Sequence, residues 1–161
     1  MIFVSVGTQL GFDRLIKSLD IWMCDNPSVN VFFQIGQGSY IPSNGSYKRS
    51  LSSNEYKAIL NDCELLVSHA GMGSILSALE IGKNLVILPR KSSLGEHRNE
   101  HQLATATKMI EQKICNVCWS ESELICYLEN IRQQPKNVNI RKDSKNKDRL
   151  LNFLDDYIVN L

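Results

Sequence analysis

The segment Ser68-His69-Ala70-Gly71-Met72-Gly73-Ser74 joins a short apolar run to a helical pattern. Its residue types suit an anion. Glycines at 71 and 73 let the backbone approach a ligand closely. The amides at a helix start lack intrahelical partners, and with the helix dipole they favour a phosphate. Ser74 adds a hydroxyl donor and His69 a ring donor from the strand end. Glycines between a strand and a helix also serve packing, so the turn alone leaves phosphate binding open.

Other phosphate patterns do not fit. Gly82-Lys83 is followed by Asn84 and lies at the wrong end of a helix for a P-loop. No G-x-G-x-x-G with an acidic residue after the second strand occurs, so a dinucleotide-binding fold of the Rossmann type is not expected. His97-Arg98-Asn99-Glu100-His101 matches H-x-x-E-H, in which two histidines on one helical face share a zinc. That reading, a zinc hydrolase, needs a third ligand from downstream, where Glu121, Glu123 and Glu129 are the candidates. Cys115-Asn116-Val117-Cys118 is a CxxC, but Cys126 alone does not supply a second pair for zinc. The pair reads as structural thiols in a short buried strand.

The elements needed to position these residues alternate along the chain. Strands are expected at residues 1–6, 29–35, 64–68, 85–88 and 114–119. Helices are expected at about 12–24, 54–61, 74–81, 97–112 and 121–132, the last with Ser120 as N-cap and Glu123 in the capping-box position. Residues 37–53, rich in Ser, Gly, Asn and Tyr, read as one long loop, and loops of that length are often functional. Strand–loop–helix repetition predicts an α/β fold, a parallel sheet with helices on both faces. The Gly-containing turns after residues 6, 35 and 68, and the loop after 88, would then surround one crevice at the carboxyl edge of the sheet.

With this order of motifs, the chain resembles the C-terminal half of family 28 glycosyltransferases. The matching residues are Val4-Ser5-Val6-Gly7-Thr8, Gln34-Ile35-Gly36, Val67 to Ser74, Leu88-Pro89-Arg90 and Gly95-Glu96-His97-Arg98-Asn99-Glu100-His101-Gln102. The likeness is greatest to single-domain members. These include the catalytic subunit of the eukaryotic enzyme adding the second N-acetylglucosamine to the dolichol-linked glycan, and bacterial subunits for capsule, exopolysaccharide and O-antigen.

The resemblance implies a Rossmann-like C-terminal half of a GT-B glycosyltransferase. It implies that His69, Gly71, Gly73 and Ser74 hold the diphosphate of a UDP-sugar, with Gly7 and Thr8 opposite. Glu96, His101 and Gln102 would contact sugar hydroxyls, and Arg90 would compensate phosphate charge. Loop 37–53 and Tyr56 lie where a uracil ring would be covered. Relatives commonly carry a Glu for the ribose where this chain has Ser77; Glu80 lies one turn further on.

The implied reaction is inverting transfer from UDP-sugar to a lipid-linked saccharide, without cofactor or metal, since no D-x-D occurs. The general base is expected from a membrane-anchored partner carrying the absent acceptor-binding half. The alternative is a non-catalytic subunit that binds UDP-sugar or only the partner.

Bulk properties agree with this. The 161 residues suit one domain, and 43% apolar content suits one core. A net charge of +1 argues for neither a nucleic-acid nor an acidic partner, and no nucleic acid is expected. Five cysteines without a framework imply reduced thiols and the cytoplasm. No signal peptide is apparent, and no apolar run approaches the ~20 residues of a membrane span. Membrane association is therefore expected to be peripheral, through the partner. Residues 1–132 read as the nucleotide-sugar domain. Residues 133–161 read as a basic linker followed by an amphipathic helix, with Leu150, Leu151, Phe153, Leu154, Tyr157 and Ile158 at helical spacing.

Overall fold

The computed structural model describes residues 1–133. The basic linker and C-terminal helix expected beyond that point lie outside the described residues. In chain order the elements are β1 (Ile2–Ser5), α1 (Asp13–Cys24), β2 (Val31–Gln34), β3 (Ser46–Lys48), α2 (Ser53–Asp62), β4 (Leu65–Ser68), α3 (Met72–Glu80), β5 (Asn84–Ile87), α4 (His101–Glu111), β6 (Asn116–Val117) and α5 (Glu121–Gln133).

The six strands form one parallel sheet in the order β3-β2-β1-β4-β5-β6. This is the doubly wound order, so the sheet is Rossmann-like although the dinucleotide fingerprint is absent. Successive strand side chains point to opposite faces. Val4, Val67 and Val86 therefore pack with Leu15, Ile16 and Leu19 of α1 and Leu124 and Leu128 of α5. Phe3, Leu66 and Ile87 pack on the other face with Leu60 of α2, Ile75 and Ala78 of α3, and Ala106 and Met109 of α4. Two such apolar layers are what a parallel sheet needs, because both its faces must be covered.

Two sequence expectations are corrected. The long loop contains an edge strand: β3 pairs with β2 at Phe32↔Ser46 and Gln34↔Lys48. All three of its residues are exposed, so it carries no apolar alternation to announce it. The connection before it is tied to α1 by Asp20, whose carboxylate accepts from Tyr40 Oη (2.8 Å) and from the amides of Ser43 (3.0 Å) and Asn44 (2.8 Å).

The second correction concerns α4, which begins at His101 rather than His97. Gly95 takes φ +69°. Between it and the helix the chain is held by side chains: Glu96 accepts from the Lys91 amide (2.9 Å), and Ser92 donates to Glu100. At α5, Ser120 Oγ accepts from the Glu123 amide at 3.2 Å, the cap the sequence predicts.

Candidate functional site

At the carboxyl edge, the chain turns one way after β1 and the other way after β4, and these two strands are neighbours. A doubly wound sheet opens a crevice at such a switch point. Here it has a volume of about 630 Å³. Its floor is the end of β1 through Leu10 and the turn from His69 to Ser74. One end is closed by Leu51, Ser53, Tyr56 and Lys57, the other by Arg90, His97 and Gln102.

The floor is fixed from below by buried polar groups. Ser5 Oγ donates to Gln34 Oε1 at 2.6 Å, and Gln34 Nε2 donates to the Gly7 carbonyl at 2.9 Å. Gly7 itself sits at φ +76°. The His69 ring lies between Gly7 and Gly71: a Cβ on either glycine would collide with it. Burial, reinforced by the positive charge of Arg90, pushes the His69 pKa down to about 4, only partly opposed by the Ser5 carbonyl. The ring is therefore neutral at pH 7, and its Nδ1 is buried without a hydrogen-bond partner.

Gly71 is the N-cap of α3, and no side chain caps that end. The contrast with α2 is direct: there Ser52 and Glu55 form a reciprocal capping box. The first-turn amides of α3 have no side-chain acceptor, and the residues that carry them, Met72, Gly73 and Ser74, line the crevice. Gly73 differs from Gly71 in that a Cβ there would meet nothing of the protein within 4 Å. Packing therefore does not require Gly73, and it lines open space. Ser74 and Ser77 line the same wall, and no carboxylate does among the described residues.

The opposite end rests on Arg90. Its Nη2 donates to the carbonyls of Val6 and Leu10, both at 2.7 Å, and its backbone amide donates to Gln102 Oε1 at 3.0 Å. This contact fixes the Gln102 side chain and leaves both amide donors, with one lone pair of Oε1, for the crevice. Burial lowers the Arg90 pKa to about 10, so its charge persists at neutral pH.

A helix start that opens on a crevice in this way can hold an anion, and the fold that carries it is shared with known proteins. The model of the glycosyltransferase family 28 C-terminal domain matches residues 1–157. The chain belongs to this family. The human UDP-N-acetylglucosamine transferase subunit ALG13 is 33% identical over 123 residues, which are 67% of this chain and 10% of that protein. The chain thus spans about a tenth of that relative's length. The glycotransferase of kitacinnamycin superposes with a TM-score of 0.61 at 20% identity, over 83% of this chain and 35% of that one. The solution structure of ALG13 gives 0.57 at 21% identity, over 83% of this chain and 85% of that one. The fold is that of a GT-B glycosyltransferase domain.

Within this family 28 domain, the residues named from sequence fall into two groups. Gly7, Thr8, His69, Gly71, Gly73, Ser74, Arg90 and Gln102 all line the crevice. Glu96 and His101 do not. Glu96 borders a separate, shallower depression with Gly11 to Arg14 and Gln37 to Ser39. Its carboxylate is taken up by Arg14, with Nε to Oε1 at 2.6 Å and Nη2 to Oε2 at 2.9 Å. His101 is exposed on the first turn of α4. His97 lines the crevice where His101 was expected.

Of the long loop, only Leu51 and Ser53 reach the crevice, joined by Tyr56 and Lys57. Ser53, Tyr56 and Lys57 are spaced at i, i+3 and i+4, a helical face legible in the sequence but not singled out there. The Tyr56 oxygen is buried without a hydrogen bond, and burial raises its pKa against the opposing hydroxyls of Ser74 and Ser5. Ser77 is in the crevice wall, whereas Glu80 is exposed and outside it.

The zinc reading loses its premise. His97 precedes α4, so the two histidines do not share a helical face, and Glu100 is engaged by Ser92. Among the described residues no group of three His, Cys, Asp or Glu could hold a metal. Cys115 and Cys118 are free, and burial pushes their thiols up to about 12 and about 11. Thiols so far from ionisation are poor nucleophiles and ligands. No helix among the described residues is long and apolar enough to cross a membrane.

Proposed function

We propose that this chain is the donor-binding, catalytic subunit of a two-component inverting glycosyltransferase that moves a sugar from a UDP-sugar to a lipid-linked saccharide. The observation that carries this reading is the start of α3. It is an uncapped helix end on a crevice without a carboxylate among its described lining residues, with Gly73 leaving open space that packing does not demand.

Charge develops on the β-phosphate as UDP leaves. Fixed amides of the Gly71–Ser74 turn and the α3 dipole would stabilise it without reorganisation. Arg90 supplies a buried positive charge beyond the turn. The Gln102 amide, at the β5 end, donates to the sugar. Relatives commonly carry a carboxylate for the ribose where this chain has Ser77; here the hydroxyls of Ser77, Ser74 and Ser53, which line the crevice, would meet the ribose instead. His69, neutral at pH 7, acts as a hydrogen-bonding wall rather than as a standing charge.

The acceptor hydroxyl needs a base. We assign that base, and the acceptor-binding half, to a membrane-anchored partner that brings this chain to the cytoplasmic face of the membrane. The human relative is a transferase subunit, which supports a divided enzyme. Surface polysaccharide, as capsule, exopolysaccharide or O-antigen, is the pathway in which we place it. The test is reconstitution. Membranes bearing the partner should release UDP and extend the lipid-linked saccharide only when this chain is added, and the purified chain alone should do neither. Transfer by the purified chain onto acceptor would overturn the division of labour.

A further inference from the structure

The loop that carries His97 to the crevice and leads into Gln102 on α4 has no regular hydrogen-bonded structure between Gly95 and His101. Its position depends on Arg14, which comes from α1 in the opposite helical layer. The single Arg14 guanidinium grips the loop at two places. It binds the Glu96 carboxylate through Nε and Nη2, and Nη2 also donates to the Pro89 carbonyl at 3.2 Å. Pro89 immediately precedes Arg90, whose amide holds Gln102. Glu96 in turn accepts from the Lys91 amide, just after Arg90. Both flanks of the Arg90–Gln102 contact are therefore anchored on one side chain.

Two further contacts fix Arg14 itself. Its Nη1 donates to Glu121 Oε2 at 2.8 Å at the start of α5. The Arg14 and Arg90 guanidinium carbons lie 5.2 and 5.1 Å from the centroid of the Phe12 ring. The Arg14 and Glu96 side chains are only 14% and 12% exposed, against 39% for Glu121. Removing Arg14 leaves the sheltered Glu96 carboxylate without its cation, and removing Glu96 leaves Arg14 held only by the more exposed Glu121; either change releases the loop from α1.

We infer that Arg14 and Glu96 are a positioning pair for the sugar end of the crevice: they touch no part of the donor but set Gln102 and His97 against its sugar. This rests on the UDP-sugar reading above. It also gives Glu96 a role other than reading sugar hydroxyls.

The test compares two probes, UDP and UDP-N-acetylglucosamine, by calorimetric titration of the full chain and of Arg14→Ala, Glu96→Gln and the double variant Arg14→Ala/Glu96→Gln. UDP reports the turn at α3, which the pair does not touch. The expected result is an unchanged affinity for UDP, within about twofold, and a loss of about tenfold for UDP-N-acetylglucosamine. The double variant should lose no more than the worse single variant, because the two residues act as one unit. Glu96→Gln keeps a near-isosteric acceptor for the Lys91 amide, so it remains folded and informative if Arg14→Ala does not. Parallel loss of both affinities, or no change in either, overturns the inference and leaves the donor site standing. Wild-type chain that fails to bind UDP at all removes the donor-site reading, and the inference with it.

Discussion

Two parts of the crevice are built by different means. The floor, our proposed phosphate end, is local backbone: six residues of one turn, His69 to Ser74, supply a ring, two glycines and a run of amides. The Arg90–Gln102 end, our proposed sugar end, is assembled by side chains from far apart, with Arg14 reaching Glu96 across 82 residues of sequence. An end made of backbone is insensitive to most substitutions elsewhere, whereas an end held by a sheltered ion pair is exposed to changes that never approach the ligand. Within the phosphate end, Gly71 and Gly73 repeat the contrast. Gly71 is required by the protein, because the His69 ring occupies the space of its missing Cβ. Gly73 is not required by the protein and is left for whatever the crevice holds.

The sharpest way to break this comparison is to fill the two glycine positions separately. Gly73→Val should weaken UDP by about 100-fold, roughly the worth of one or two hydrogen bonds to a charged group, and leave the fold intact. Gly73→Ala should weaken UDP less while raising stability by about 0.5–1 kcal/mol, because a helical glycine is replaced by alanine. Thermal melting beside UDP titration reads both effects. If Gly73→Ala destabilises, the space at Gly73 is packing after all.

His69 sets a second expectation, on stability against pH. Its folded pKa of about 4 lies below the ordinary 6.5. The unfolded chain takes up a proton as pH falls through 6.5, and the folded chain does not until about 4. This contribution is therefore constant above pH 6.5 and is lost between 6.5 and 4, up to about 3 kcal/mol. Urea melts across that window should show a shallower acid loss in His69→Gln than in the natural chain. Equal slopes would place the ring in water.

Gly71→Ala should cost about 1–3 kcal/mol, the usual penalty for overpacking, seen as a lower melting temperature. Gly7→Ala should cost at least as much, because its φ is positive as well. Smaller still, Ser77→Glu should raise UDP affinity about threefold to tenfold by adding an acceptor for the ribose hydroxyls. Glu80→Ala should change nothing, since Glu80 lies outside the crevice. A Glu80→Ala loss equal to that of Gly73→Val would mean the crevice is wrongly placed along α3.

The same contrast explains what was legible in the sequence. The His-Ala-Gly-Met-Gly-Ser turn is legible because strand, turn and helix start are contiguous, and the chemistry follows from their order. The doubly wound sheet is legible because buried parallel strands such as Leu65–Ser68 are apolar runs between helical patterns. Strand β3 is not, because Ser46, Tyr47 and Lys48 are exposed on an edge and bury nothing. The start of α4 is not, because His97 to Glu100 continue its pattern but are held out of the helix by Glu96, bonded to Lys91 and Arg14, and by Ser92, bonded to Glu100. Glu96 illustrates the general limit. Its place in the Glu-His-x-x-x-His-Gln block suggests a sugar contact, yet only a three-dimensional structure reveals that Arg14 has already claimed its carboxylate.

The central claim, that this crevice holds a nucleoside diphosphate at the start of α3, is tested most directly by calorimetric titration of UDP into the full chain and into Gly73→Val. The account predicts saturable binding at one site, weakened about 100-fold by the substitution with the melting temperature retained. Absence of saturable binding to the natural chain, or equal affinity in Gly73→Val, would contradict it.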